Sequence, residues 1–318
     1  MSDIVEQAGG LVRRGDVRGA AGLLNKAELA GDGRAARELA TWCLTGQLVR
    51  RDLARSRALF ERAAALEDAP SAAVARAFIA AGVGGPPDWP RAVRMLRDAA
   101  LDDPEAAKQV CLIDAMELTD SGEPVGAPRS EHLSDAPDVQ LFPGLFTAAE
   151  CSFLVEAARP ALQPSSVVDP ATGALVANPV RTSDAAAFPF VMENPAIHAL
   201  TRKLAKASGT QVKNGEPLQV LRYAPGQEYR PHFDAIGATD NQRVLTFLVY
   251  LNEDFEGGET HFLSTGLCVK GSVGDGLLFR NADERGQPDQ RSQHAGLPVT
   301  KGEKFLASRW IRQRALVG

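Results

Sequence analysis

The apolar positions of the first 118 residues recur three to four apart, as on one face of a helix, and the pattern repeats every 36 residues. Gly10, Gly46 and Gly82 align, as do Asp16, Asp52 and Asp88, then Leu23, Leu59 and Met95. Leu24, Phe60 and Leu96 align too, followed by Ala27, Ala63 and Ala99. A fixed period of roughly 20–50 residues marks a stacked array, because one such unit cannot bury its apolar face alone. Each copy predicts two antiparallel helices, broken midway by the aligned glycine and drawn close by small alanines. The partial last copy, Glu105–Leu118, predicts a closing helix over the end of the stack.

Residues 119–138 hold three Pro, two Gly and no large apolar cluster, which suits an extended connector. Beyond it the periodicity changes. Val139–Phe146 opens with a short strand, and Thr147–Arg159 predicts a helix with Thr147 as N-cap and Glu150 at the capping-box position. Asn194–Ser208 predicts a second helix, with Ile197, Leu200 and Leu204 on one face and Gly209 as its stop. From Leu218 the reading is mostly strand: Leu218–Tyr223 alternates, and Val244–Leu251 is apolar throughout, as in a strand buried on both faces. Short strands at Leu277–Phe279 and Phe305–Arg312 follow, with a turn at Gly257-Gly258. The class expected is α+β: helical repeats over 1–118, a connector over 119–138, and a sandwich or jelly roll with flanking helices over 139–318. The Val168–Asp184 segment is long for a structureless connection, and we expect it to fold over the site when substrate is present.

Composition narrows the classes further. A net charge of −5 gives no basic surface for nucleic acid or anionic membrane, and no apolar run nears the roughly 18 residues of a membrane span. Four scattered cysteines, without a CxxC pair, suggest neither a disulfide framework nor a zinc cluster. The start lacks the basic and apolar regions of a secretory signal, so the expectation is a cytoplasmic protein with reduced thiols.

The candidate chemistry centres on Leu221–Asp234, LRYAPGQEYRPHFD. Two imidazoles and one carboxylate form the facial triad that holds non-haem Fe(II) and leaves positions open. On a strand, His232 and Asp234 point the same way, and His294, 60 residues past Asp234, can complete the set from a neighbouring strand. An isolated His-x-Asp is common, and a surface histidine bonded to an aspartate is its ordinary explanation. Lys304, ten residues after His294, would lie deep in the barrel, where an ammonium can pair with a dicarboxylate. Tyr223 adds a hydroxyl on the strand leading in.

The helical half resembles Sel1-like repeats, relatives of tetratricopeptide repeats, through Ala35–Gly46 (AARELATWCLTG) and Asp52–Ala64 (DLARSRALFERAA). This implies either a docking surface for a protein partner or an array that only packs against the second domain. Val139–Arg312 resembles the prolyl 4-hydroxylase branch of the 2-oxoglutarate- and Fe(II)-dependent dioxygenases. The matching motifs are Phe146–Cys151, Arg181-Thr182-Ser183, Tyr223–Asp234, Arg243–Asn252, Gly257–Thr260 and His294–Trp310.

The resemblance implies a double-stranded β-helix (a cupin-like jelly roll) with iron on His232, Asp234 and His294. It further implies that Lys304 holds the distal carboxylate of 2-oxoglutarate, with Tyr223 and Tyr250 beside the cosubstrate, and that O2 is consumed. In this family ascorbate sustains activity, and that expectation extends here. Peptide-contacting positions map to Tyr229, Arg243 and Trp310. Collagen-type relatives often carry histidine where Arg312 stands, and an arginine there can meet a carboxylate.

Three functions therefore stand at this point. The first is hydroxylation of a prolyl residue in a protein or peptide recruited by the repeats. The second is hydroxylation of a free amino acid or small metabolite. The third is a non-catalytic scaffold whose barrel only binds metal or a partner, against which the intact triad and Lys304 argue.

Overall fold

The computed structural model describes residues 3–168, 175–177, 180–189, 191–237 and 239–316. Packing divides the chain into two units, residues 1–123 with 190–199 and residues 124–189 with 200–318.

Among the described residues, the first unit opens with seven helices: α1 (Ile4–Arg13), α2 (Val17–Leu29), α3 (Gly33–Thr45), α4 (Leu53–Ala65), α5 (Ala69–Ala81), α6 (Trp89–Ala99) and α7 (Pro104–Ala115). The helices α2, α4 and α6 start at Val17, Leu53 and Trp89, so the 36-residue period of the sequence is also the period of the fold. The aligned aspartates explain why. Asp16, Asp52 and Asp88 accept hydrogen bonds from the backbone N–H of Gly19, Arg55 and Arg91 at 2.8, 2.9 and 3.0 Å. Each side chain thereby satisfies an N–H that the first helical turn leaves without a partner. Asp32, Asp68 and Asp103 cap α3, α5 and α7 in the same way.

Gly46 and Gly82 end α3 and α5 in the left-handed region, at φ 71° and 76°, where a side chain would be strained. Gly10 behaves differently: it lies inside α1, and the break of the first copy falls at Gly15, with φ 84°. The alignment alone could not show this, because glycine is also tolerated within a helix. Leu24, Phe60 and Leu96 form the buried spine of successive copies, with Ala20, Ser56 and Ala92 in the close-packed positions beside them. Ser56 fits an alanine position because its hydroxyl donates to the Ala40 carbonyl at 2.8 Å.

The second unit is built on strands. They are β1 (Glu131–Asp135), β2 (Asp138–Phe142), β3 (Gln163–Pro164), β4 (Ser166–Val168), β5 (Leu175–Ala177), β6 (Asp184–Phe188), β7 (Leu218–Tyr223) and β8 (Tyr229–His232). There follow β9 (Arg243–Tyr250), β10 (Phe255–Gly257), β11 (Thr260–Phe262), β12 (Cys268–Val269), β13 (Gly276–Arg280), β14 (His294–Gly296), β15 (Val299–Gly302) and β16 (Lys304–Arg312). The larger sheet has the order β1-β2-β13-β9-β16-β7-β6-β3, and the smaller one β12-β11-β14-β8. Phe262 on β11 meets Phe279 on β13 edge-on at 5.2 Å, so the two sheets close over a shared apolar core, as in a jelly roll. The continuous apolar run of the sequence is β9, which pairs with β13 on one side and β16 on the other.

Helix α8 (Ala148–Ala158) begins with the expected capping box between Thr147 and Glu150. Helix α9 (Pro195–Ala207) buries Ile197, Leu200 and Leu204. Residues 131–135, assigned by composition to the connector, form β1 and pair with β2. Of the segment expected to fold over the site, residues 169–174 and 178–179 lie outside the described residues. What is described includes the antiparallel pair of β4 and β5.

Candidate active site

His232 ends β8 and His294 begins β14, and the two are direct partners across that antiparallel pair. Strand register thus brings together residues 62 positions apart (294 minus 232). Asp234 lies beyond the end of β8, so strand alternation does not place it. Its carboxylate is placed from the opposite sheet. Thr246 on β9 donates its hydroxyl to Asp234 Oδ2 at 2.6 Å, and Asn281 donates to the Thr246 oxygen at 2.8 Å. The carboxylate oxygens then stand 3.6 Å from the Nε2 atoms of His232 and of His294.

All three donor groups lie within 4.8 Å of one another. Each imidazole has its Nδ1 against a backbone carbonyl, Arg230 O at 2.8 Å for His232 and Ser292 O at 3.0 Å for His294. That contact holds the proton on Nδ1 and leaves the Nε2 lone pair facing the cluster. His232 Nε2 is buried without a hydrogen-bond partner. Burial lowers the His294 imidazole to about 4, so it is neutral at physiological pH, as a ligand must be. For Asp234 burial acts upward, but the neighbouring imidazoles and the Thr246 hydroxyl outweigh it and keep the carboxylate ionised. Two imidazoles and one anionic carboxylate around an orphaned nitrogen fit a divalent transition metal.

Lys304 lines the same cavity. It begins β16 opposite Tyr223 of β7, is 2% exposed, and donates to Gly258 O at 2.6 Å. Burial lowers its ammonium to about 8, offset in part by Glu259. Gly257 and Gly258 (φ 73° and 71°) form the tight turn that presents this carbonyl. Tyr223 lines the cavity, and burial keeps its phenol protonated as a donor. Tyr250 stands beside Lys304, with its ring 5.4 Å from the ammonium. Its hydroxyl is bonded to Thr260 Oγ1 at 3.0 Å and Val269 O at 3.1 Å. Its contribution is therefore to hold Thr260, which itself lines the cavity.

Tyr229 stacks flat on His232, with ring centroids 3.4 Å apart. Trp310 forms another part of the wall, and its indole Nε1 is buried with no hydrogen-bond partner. The Arg243 guanidinium lies 3.9 Å over the Trp310 ring. Both guanidinium groups expected near the substrate are engaged by Glu216. Arg243 grips it through two hydrogen bonds, 2.6 and 2.8 Å long, and Arg312 donates to Glu216 Oε1 at 2.6 Å. The carboxylate that Arg312 meets is thus one of its own chain.

Thr246, Asn281, Thr260, Ser308 and Glu216 were not legible as site residues. Thr260 falls inside the GGET motif, which is the one signal that pointed toward it. Ser308 follows Lys304 and Leu306 on one face of β16, so period-two counting from Lys304 would have reached it. Thr246 falls inside the Arg243–Asn252 motif, whereas Asn281 and Glu216 carry no such signal. His198 is bonded to Glu193 at 2.7 Å and His132 to Asp135 at 2.9 Å, and neither belongs to the three-donor cluster.

Residues 218–312 match the model of the 2OG-Fe(II) oxygenase superfamily. Prolyl 4-hydroxylase 1 of Arabidopsis thaliana is 39% identical over 210 residues, covering 60% of this chain and 74% of the relative. Probable prolyl 4-hydroxylase 9 of the same plant is 35% identical over 214 residues, covering 60% and 74%. A solved viral collagen prolyl hydroxylase from Paramecium Bursaria Chlorella virus-1, in complex with 2OG, is 31% identical with a TM-score of 0.45. It covers 55% of this chain, which covers 96% of it.

The family model and the prolyl 4-hydroxylase relatives define a 2-oxoglutarate-dependent oxygenase, an oxidoreductase of a family that uses Fe(II), 2-oxoglutarate and O2. Within that class, the chain belongs to the prolyl 4-hydroxylase-like 2OG-Fe(II) oxygenases.

Proposed function

We propose that the chain hydroxylates a prolyl residue within a protein or peptide, with His232, Asp234 and His294 holding Fe(II) and Lys304 holding 2-oxoglutarate. The observation that carries this reading is one cavity lined by both a three-donor cluster with an orphaned Nε2 and a buried ammonium. Bound there, the iron with 2-oxoglutarate and O2 supplies the oxidising power for an unactivated C–H bond, and 2-oxoglutarate leaves as succinate and CO2.

The chain's own residues do the rest. The carbonyls of Arg230 and Ser292 fix the imidazole tautomers, and Thr246 orients the carboxylate. Lys304, freed from Gly258 O, pairs with the far carboxylate of the cosubstrate, and the hydroxyl of Tyr223 stands by to donate to it. Leu221, Leu248 and Leu306 wall the cavity with apolar surface and exclude water. Tyr229 and Trp310 offer flat faces to a pyrrolidine ring, and the Trp310 indole N–H offers a donor to a peptide carbonyl. The relatives named as prolyl 4-hydroxylases support a prolyl target, and the engagement of Arg312 by Glu216 removes the feature that favoured a small acidic substrate.

The repeat array, in this proposal, recruits the target protein. A chain starting at residue 119 that keeps the iron affinity of the full chain would then show a raised KM for a protein target and an unchanged KM for a short peptide. For the core activity, succinate formation is measured with Fe(II) and 2-oxoglutarate, comparing no substrate, proline-rich peptide and free proline, with His232→Ala as control. Peptide-stimulated succinate accompanied by hydroxyproline supports the reading. Iron binding without succinate above the His232→Ala control refutes it.

A further inference from the structure

Trp310, which lines the cavity, is covered by Arg243, and Arg243 belongs to an ion-pair arrangement that the reaction itself does not require. Glu216 stands just before β7, and its backbone is pinned at both ends. Its N–H donates to Trp310 O at 2.8 Å, and its carbonyl accepts from Arg309 Nε at 3.1 Å. The approach is close: a Cβ at Gly215 would lie 2.2 Å from that same Nε, so only glycine fits there. Arg309, 4% exposed, also donates to the carbonyls of Thr201 and Val212, which ties the 212–216 segment down. The Glu216 carboxylate therefore has a fixed position.

From that position it meets two cations. Arg243 is held by both carboxylate oxygens while its guanidinium covers the Trp310 indole. Arg312 shares Oε1 and donates a second bond to Asn241 O at 2.6 Å. Side-chain exposures of 21% for Arg243, 15% for Arg312 and 12% for Glu216 leave the cluster only partly screened by water. One carboxylate against two guanidinium groups leaves a single net positive charge, with the acceptor-seeking N–H groups of Arg243 already aligned on Glu216.

We infer that Glu216 is a specificity-determining residue: by occupying Arg243 and Arg312 it denies both to a substrate carboxylate and so selects a proline inside a chain over one bearing a free carboxylate. This rests on the prolyl reading above. The physical basis is competition for a fixed number of guanidinium donors. An incoming carboxylate must displace a preorganised, charge-assisted pair, whereas an amide carbonyl can use the unpartnered Trp310 N–H and leave the cluster intact.

The test uses the full chain loaded with Fe(II) and 2-oxoglutarate and two proline-rich peptides that differ only at the target. In one, the target proline is internal and the ends are blocked; in the other it is the last residue, with a free carboxylate. Glu216→Gln keeps the shape and one acceptor but removes the charge. Binding of each peptide and its kcat and KM are measured for wild type, Glu216→Gln, Glu216→Asp and the double variant Glu216→Gln with Arg312→Gln. A thermal transition for every variant confirms the fold.

The expected result is that Glu216→Gln moves the kcat/KM ratio toward the free-carboxylate peptide by about tenfold, the scale of one hydrogen bond to a charged group. The shift is carried by KM, Glu216→Asp restores most of the wild-type ratio, and the double variant reverses it. If the peptides are hydroxylated but the ratio stays within twofold across all variants, the inference is overturned and the prolyl reading stands. If wild type hydroxylates neither peptide, both fall together.

Discussion

Thr246→Val is the sharpest probe of the metal cluster because it changes one hydroxyl to a methyl on a buried strand and leaves all three proposed ligands in the sequence. Thr246 is fully buried, and its hydroxyl donates to Asp234 at 2.6 Å while accepting from Asn281 at 2.8 Å. A hydrogen bond to a charged group contributes about 1.5–3 kcal/mol, and a buried donor left without a partner costs about 1–3 kcal/mol. Valine removes the acceptor of the Asn281 Nδ2–H, in a residue whose Oδ1 already lacks a partner. Since Asp234 lies beyond the end of its strand, little else orients it. Metal affinity should therefore fall by roughly tenfold to a hundredfold, the usual cost of losing a partner that orients a ligand.

The assay is titration of the apo protein with Mn(II) as a redox-inert probe, followed by Fe(II), with Thr246→Ser as the variant that keeps the hydroxyl. Thr246→Ser should stay within about threefold of wild type. A folded Thr246→Val protein that binds Mn(II) as tightly as wild type would refute the claim that the opposite sheet positions the carboxylate.

Four further outcomes follow from the structure. Lys304 is lowered to about 8 by burial, so its ammonium is present below that pH and lost above it. Affinity for 2-oxoglutarate should fall as pH rises through about 8 to 9, a decline absent in Lys304→Arg, as read by calorimetry. Because the folded form binds this proton less tightly than the unfolded one, the cosubstrate-free protein gains stability between about pH 8 and 10.5, and Lys304→Met should raise its melting temperature at pH 7. Gly258→Ala introduces a Cβ at positive φ, 3.2 Å from Lys304 Cδ and 3.0 Å from Val299 Cγ2. It should cost about 1–2 kcal/mol in chemical denaturation and raise the KM for 2-oxoglutarate. Asp52→Ala and Asp88→Ala remove helix caps in the repeats, and each should destabilise the protein by about 1 kcal/mol, measured by circular dichroism.

Much of this protein was readable from the chain itself, for a physical reason. Helix caps, glycine stops and apolar periodicity act within a few residues, so the 36-residue spacing of Asp16, Asp52 and Asp88 specified where α2, α4 and α6 begin. The Thr147–Glu150 capping box and the apolar run of β9 were legible for the same reason. His232, Asp234, His294 and Lys304 stood out because their chemistry is rare and their spacing matches a known pattern.

Tertiary structure decided what depends on which strands become neighbours. Placing His294 opposite His232 requires the register of β8 and β14, which no local pattern encodes. The orientation of Asp234 comes from Thr246 and Asn281 on the opposite sheet. The partner of Arg312 within the chain is decided in the same way. In the sequence it is a lone cation that invites an acid, and in the fold it is already paired with Glu216, 96 residues earlier. An ionised side chain shows its type in one dimension, but its free charge is settled only when the chain has chosen its partner.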